Sequence, residues 1–114
     1  MKLRFDVIFL TDAIEFIAEL DDKTRKKIIY NIDKAKMNND PKLFKKLKND
    51  IWEFRTLYNQ KQYRLFAFWD KTEKSETLVI STHGIIKKVS KVSTKEIAKV
   101  ERIRIEYFKI KNSK

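Results

Sequence analysis

The chain has no cysteine, one glycine, one proline and one histidine in 114 residues. Without cysteine there is no disulfide, no thiol nucleophile and no thiolate zinc site. The single histidine, His83, is too few for a His-built metal centre, so no metal and no other cofactor is expected. The single glycine, Gly84, excludes a Gly-rich phosphate loop. No serine sits in a credible arrangement with a histidine and an orienting acid, and carboxylates are not clustered for two-metal phosphoryl chemistry. No apolar run approaches the ~18 residues of a spanning helix, so no membrane contact is expected. The opening Met1-Lys2-Leu3-Arg4-Phe5-Asp6 puts charge where a secretory leader needs apolar residues, and a cytoplasmic location is the expectation.

What is present is apolar bulk and positive charge. Hydrophobic residues make up 42% of the chain, with 8 Phe, 4 Tyr and 2 Trp, which suits one folded domain over residues 1–114. The net charge is +11, and it is unevenly placed. Residues 1–40 carry eight basic and eight acidic side chains, residues 41–82 nine and five, and residues 83–114 ten and three. The whole excess follows Asp40. Positive charge concentrated in this way fits a polyanion or an acidic partner. The competing reading is a lysine-rich surface that reflects only the base composition of the gene.

Periodicity gives the element order. Leu3, Phe5, Val7 and Phe9 alternate with polar residues, the signature of a strand with one buried face. Thr11 or Asp12 is expected to cap a helix, with Asp12 and Glu15 at capping-box spacing and Ile14, Phe16, Ile17 and Leu20 as its stripe. A second helix is expected from Asp21 or Asp22, with Ile28, Ile29, Ile32 and Ala35 on one side, ending around Asn38-Asn39-Asp40-Pro41. Lys42 to Lys48 reads as a basic connector. Strands follow at Ile51–Leu57, Gln62–Trp69 and Glu76–Thr82, separated by tight turns at Asn59-Gln60-Lys61 and Asp70–Ser75, and short turns require an antiparallel meander. Gly84 is read as breaking the chain after the third strand, with a basic loop from Lys87 to Ser93. A last helix opens at Ser93 or Thr94, with Ser93 and Glu96 at capping-box spacing and Ile97, Val100, Ile103, Tyr107 and Ile110 as its stripe. The expected class is α+β: strand, helical hairpin, three-stranded meander, helix.

Arg55 and Arg64 fall on adjacent strands of a chain otherwise rich in lysine. A guanidinium binds phosphate through paired, planar donors and keeps its charge when partly buried. The structural alternative is an ion pair with Glu53 or Glu76. His83, Lys87, Lys88 and Lys91 follow the third strand and are expected to approach Arg64. Such a cluster can grip an RNA backbone and neutralise charge on a phosphorane formed by ribose 2′-hydroxyl attack. His83 has the side chain suited to act as acid or base, although a lone histidine is more often structural. Tyr58, Tyr63 and Trp69 are candidates for base stacking, against the commoner role of strand aromatics as core. Lys45, Lys46, Lys48 and Lys61 complete the candidate RNA-binding set.

Four segments in order resemble a known family. Ile51-Trp52-Glu53-Phe54-Arg55, Gln62-Tyr63-Arg64-Leu65-Phe66, His83-Gly84-Ile85-Ile86-Lys87-Lys88 and Ser93-Thr94-Lys95-Glu96-Ile97-Ala98, with a closing helix through Arg102 to Tyr107, are similar to the phage-derived, HigB-like branch of the RelE/HigB toxins of type II toxin–antitoxin systems. The pattern departs at Ile86 and at Ser93-Thr94, where the family has Thr-Pro. The resemblance implies a RelE-like fold and an endoribonuclease (an mRNA interferase) that cuts mRNA, usually on the ribosome, without a metal. It implies silencing by a cognate helix-turn-helix antitoxin of the HigA type, with DNA met only through that antitoxin. By position it implies catalytic roles for Arg55, Arg64, Lys87 and Lys88, with His83 at the His-Gly position. The alternatives are a non-catalytic toxin of the same fold acting on a protein such as DNA gyrase, and an inactive phage-derived nucleic-acid-binding module.

Overall fold

A computed structural model describes residues 3–72, 77–88 and 91–113. The N-terminal alternation forms a short strand, β1 (Asp6–Phe9), with Phe5 buried just before it. Leu3 is exposed, so the strand is shorter than its pattern. Helix α1 (Thr11–Ala18) is capped at Leu10 with no side-chain cap bond, so the expected Asp12–Glu15 capping box does not form. Helix α2 (Asp22–Met37) opens on Asp21, whose carboxylate accepts from the Thr24 N–H, the usual way to satisfy a free helix-terminal donor.

The element order departs from expectation in the middle. The basic connector is a strand, β2 (Phe44–Lys48), on the edge of the sheet. Phe44 is buried and its lysines are exposed; charged lysines on an outer strand discourage edge-to-edge pairing with another chain. Strands β3 (Ile51–Tyr58), β4 (Lys61–Asp70) and β5 (Leu78–Lys87) continue it as an antiparallel run, and β1 pairs parallel to β5. The five strands lie in the order β1-β5-β4-β3-β2. The meander expected from the sequence is therefore four strands long, within a mixed sheet. Glu76, and part of the turn expected at Asp70–Ser75, lie outside the described residues.

Gly84 does not break the chain. It lies inside β5 opposite Leu65, and a Cβ there would collide with the ring of Phe16. The missing side chain lets α1 lie close on the sheet. The sheet separates two cores. Phe54, Leu65, Ala67 and Val79 meet Ala13, Ile17, Ile28 and Ile32 of the helical hairpin. On the other face, Ile51, Phe66, Phe68 and Ile80 meet Val100, Ile97, Ile103 and Tyr107 of α3 (Thr94–Asn112). Ile110, read as part of the stripe of α3, is exposed, as are Ile14 on α1 and Ile29 on α2.

A polar contact ties the C-terminal half of α3 to the sheet. Asp70, buried at the end of β4, accepts 2.6 Å from the Tyr107 hydroxyl and 2.7 Å from Lys111 Nζ. Those bonds hold the Asp70 carboxyl far below its ordinary range despite burial, and burial with the Asp70 bond raises the Tyr107 hydroxyl to about 12.

Candidate functional site

The β3–β4 turn sets the site. Asn59 and Gln60 form a two-residue loop, both at positive φ, 51° and 66°, the backbone that suits a tight hairpin. The resulting register places Arg55 directly opposite Arg64 and Tyr58 opposite Lys61. Side chains alternate across a strand, so Glu53, Arg55, Arg64 and Lys87 all fall on the face that α3 also packs on. Lys45, paired with Glu53 across β2–β3, belongs to the same face.

Two like charges directly opposed in a ladder repel, and Glu53 sits against both. Its Oε2 is 3.5 Å from Nε of Arg55 and its Oε1 is 3.3 Å from Nε of Arg64. Glu53 and Arg64 are buried, while Arg55 keeps about a third of its side chain in solvent. Burial raises the Glu53 carboxyl above its ordinary value against the pull of Arg64, Arg55, Lys87 and Lys45. Burial likewise lowers the Arg64 guanidinium, opposed by Glu53, and lowers Lys87, helped by Arg64, Arg55 and Lys45. The shifts agree in sense: desolvation outweighs the mutual attraction, so the cluster is a cost to the fold.

The hydrogen bonding is incomplete. Among the described residues, Nε of Arg55, Nε of Arg64 and Oε1 of Glu53 lie within ion-pair distance but outside hydrogen-bonding geometry. Arg64 otherwise donates to the Tyr63 carbonyl at 3.3 Å and to Gln62 Oε1 at 2.6 Å, and Arg55 donates to the Pro41 carbonyl at 3.3 Å. Four cations act on one carboxylate, with guanidinium donors left over. That arrangement favours a bound anion, and the planar donor fork of Arg suits phosphate.

The other sequence candidates lie elsewhere or are engaged. His83 is within β5, not after it. Between the paired positions Ala67–Ser81 and Leu65–Gly84, β5 has Thr82 and His83 where β4 has only Phe66. This bulge turns the His83 ring towards Phe66, at 5.0 Å between centroids, and towards α3. Both ring nitrogens are bonded, Nδ1 with the Thr82 hydroxyl at 2.9 Å and Nε2 with Glu96 Oε1 at 3.1 Å. Burial lowers its pKa, opposed by the Glu96 bond. His83 is thus buried between β5 and the first turn of α3. Ser93 caps α3 by accepting from the Glu96 N–H, but the Glu96 side chain bonds His83, so only half of the capping box forms.

Lys88 is exposed immediately after β5, and Lys91 is exposed before α3; Val89 and Ser90 between them lie outside the described residues. Glu76, weighed as an arginine partner, also lies outside them. Lys46 pairs with Trp52 and so faces the hairpin side, Lys48 follows a register shift in β2, and Lys61 opens β4 near Asp21. Tyr63 is buried in the hairpin-side core, where its ring packs with apolar side chains; Tyr58 and Trp69 border the same core, half-buried. Glu53, expected only as a possible arginine partner, is the carboxylate at the centre of the cluster; its two-residue spacing from Arg55 is the signal that both share a face.

A model of the family described as "Phage derived protein Gp49-like (DUF891)" matches residues 15–104. None of the curated proteins matches the chain. Among the described residues, no helix is long and apolar enough to cross a membrane, and no three His, Asp or Glu side chains gather as metal ligands.

Proposed function

The chain belongs to this phage-derived Gp49-like family, within the RelE/ParE toxin superfamily, and on that premise we propose that it is an mRNA-cleaving toxin neutralised by a helix-turn-helix antitoxin. The observation that carries the reading is the gathering of Arg55, Arg64, Lys87 and Lys45 around one buried carboxylate on a single sheet face. Arg55 and Lys87, both more accessible than Arg64, grip the scissile phosphate. Arg64, buried behind them, holds Glu53 and adds its charge to the field. The ribose 2′-oxygen attacks phosphorus, its proton passing to solvent, and the bond to the 5′-oxygen breaks. Lys87, its pKa lowered by burial and by neighbouring cations, donates the proton that the 5′-oxygen needs. The products are a 2′,3′-cyclic phosphate and a 5′-hydroxyl. Lys88 and Lys91 extend the positive field along the RNA backbone, and His83 keeps β5 and α3 in place beside the cluster.

The antitoxin supplies acidic surface to the +11 chain, and translated mRNA on the ribosome is the substrate. The test is purified protein added to a translation reaction, followed by mapping of transcript ends. Cleaved mRNA with cyclic-phosphate ends, lost in Lys87→Ala and Arg55→Ala, is the expected result. Growth arrest with intact transcripts and damaged DNA would overturn it and assign a protein target instead.

A further inference from the structure

A second basic and aromatic feature lies away from this cluster. A cavity of about 580 Å³ opens at the end of the sheet where the β2–β3 turn meets the end of β4. Trp52 and Trp69 form one wall, edge to face at 5.8 Å between centroids. Phe108 and Arg104 of α3 form another, with the Arg104 guanidinium 5.5 Å from the centre of the Phe108 ring. Lys46 and Lys71 flank the opening, both exposed, and neither has a carboxylate partner among the described residues. Arg104 is different: it is held by Asp50 at 3.2 Å and Glu101 at 3.1 Å.

The chemistry of the lining is selective. Trp69 is backed by Phe5 and Phe44, and Trp52 stacks on Phe44 at 4.8 Å. Both indoles are therefore fixed from behind and half-exposed in front. The Lys71 ammonium stands 5.3 Å over the Trp69 ring, which marks that ring face as open to a flexible group. Rigid aromatic faces with cations at the rim suit a flat ring that carries a phosphate, as single-stranded nucleic acid does. The volume falls within the range of small-ligand sites.

Position connects the cavity to the cluster. Trp52 and Arg55 are on the same strand, roughly 10 Å apart at about 3.3 Å per residue, but on opposite faces. The edge strand β2 lies between the two faces and carries Lys45 on one and Lys46 on the other. A strand of RNA leaving the Arg55–Arg64 face across β2 keeps its phosphates beside lysine throughout.

We propose that the Trp52–Trp69 cavity holds a nucleotide of the RNA flanking the cleaved bond, its base against the indoles and its phosphate between Lys46 and Lys71. The inference rests on the RNA-cleaving reading for its substrate class, but its binding test is separate from cleavage. The chain has two tryptophans in all, and both line this cavity, so intrinsic tryptophan emission reports on it directly. The probe is a 2′-O-methyl trinucleotide, which has no 2′-hydroxyl to attack.

The expected result is saturable quenching by the wild-type chain, weakened at least tenfold in the Lys46→Glu/Lys71→Glu variant and unchanged in Arg55→Ala. Both lysines are exposed, so the double variant folds, as circular dichroism will verify. Absence of quenching, or quenching indifferent to Lys46 and Lys71, would overturn the proposal. So would quenching lost equally in Arg55→Ala, because the trinucleotide would then be reading the other site. Quenching by an acidic peptide but not by the trinucleotide would overturn it too, and would make the cavity a protein-binding surface. If the wild-type chain quenches as expected but leaves mRNA intact, the cavity stands and the cleavage reading falls.

Discussion

Arg55 and Arg64 stand directly opposite one another in the β3–β4 ladder. Opposed guanidinium groups are unfavourable in a sheet, and among the described residues Glu53 alone lies against both at 3.5 Å or less. A fold under selection for stability alone gains little from this arrangement, because a buried ion pair is often no better than well-packed apolar residues. Its presence on a sheet face with Lys87 and Lys45 is what the proposed phosphate-binding role accounts for.

Removing one partner will expose that cost. Arg64→Met strips the buried Glu53 carboxylate of its nearest buried cation and is expected to destabilise the fold by roughly 3 kcal/mol. The Arg64→Met/Glu53→Gln double variant is expected to recover most of the loss. The penalty has a pH sign. The folded-state pKa of Glu53 is already raised and rises further without Arg64, so the single variant is least impaired at low pH. It loses stability as pH climbs through that raised value. Urea titrations from pH 4 to 8 measure it; a double variant no more stable than the single one would contradict the account.

Lys87 is expected to show its role in a pH–rate profile. A general acid must be protonated, so cleavage falls as pH rises through the Lys87 pKa, which lies below the ordinary 10.5. Lys87→Arg keeps the charge but releases its proton only at far higher pH. The variant is expected to lose about 10²-fold in rate or more and to lack the alkaline limb. A Lys87→Arg enzyme with wild-type rate and profile would reduce Lys87 to a phosphate contact.

Gly84→Ala is expected to cost about 1–3 kcal/mol through overpacking, since the added methyl meets the Phe16 ring. Phe16→Leu in the Gly84→Ala background should cost less than Phe16→Leu alone, as thermal unfolding of the four chains will show. Additive losses would mean that the two positions do not compete for space.

The His83–Glu96 contact gives an acid-side signature. The folded-state pKa of His83 lies below its ordinary 6.5 because burial outweighs the Glu96 bond. Its neutral ring therefore contributes stability above pH 6.5, and the contribution is lost as pH falls through the lowered value. The stability gap between wild type and His83→Asn, about 1–3 kcal/mol at pH 7.5 from two lost bonds, is expected to narrow towards pH 5. Glu96, Lys99 and Asp12 also act on the ring, so Glu96→Gln should shift the window. A gap constant over that range would mean that His83 does not titrate on unfolding.

Where local chemistry decides, the sequence was legible. Asp21, one of two candidates, caps α2; Ser93, likewise one of two, caps α3; and the turn expected at Asn59-Gln60-Lys61 joins two strands, with Lys61 already in β4. The family resemblance agrees with the match to residues 15–104 at the level of the toxin superfamily. Illegible features were those set by a distant neighbour. Phe44-Lys45-Lys46-Leu47-Lys48 has poor strand propensity and becomes a strand because Phe54 and Trp52 lie beside Phe44. Gly84 looked like a terminator, yet the Phe16 ring is the reason it is there. His83 looked like the acid–base group, but a bulge in β5, invisible in composition, gives its ring to Thr82 and Glu96.

The parallel pairing of β1 with β5 also constrains how the protein is made. Asp6 finds its ladder partner at Leu78, and β5 is the strand that joins β1 to the rest of the sheet. During synthesis the first strand must wait, unpaired, until Leu78 and the residues after it have been added. A nascent chain interrupted before Leu78 lacks both that partner and Lys87. Products that stop short of β5 thus lack the strand that joins β1 to the sheet, and with it the fourth cation of the cluster.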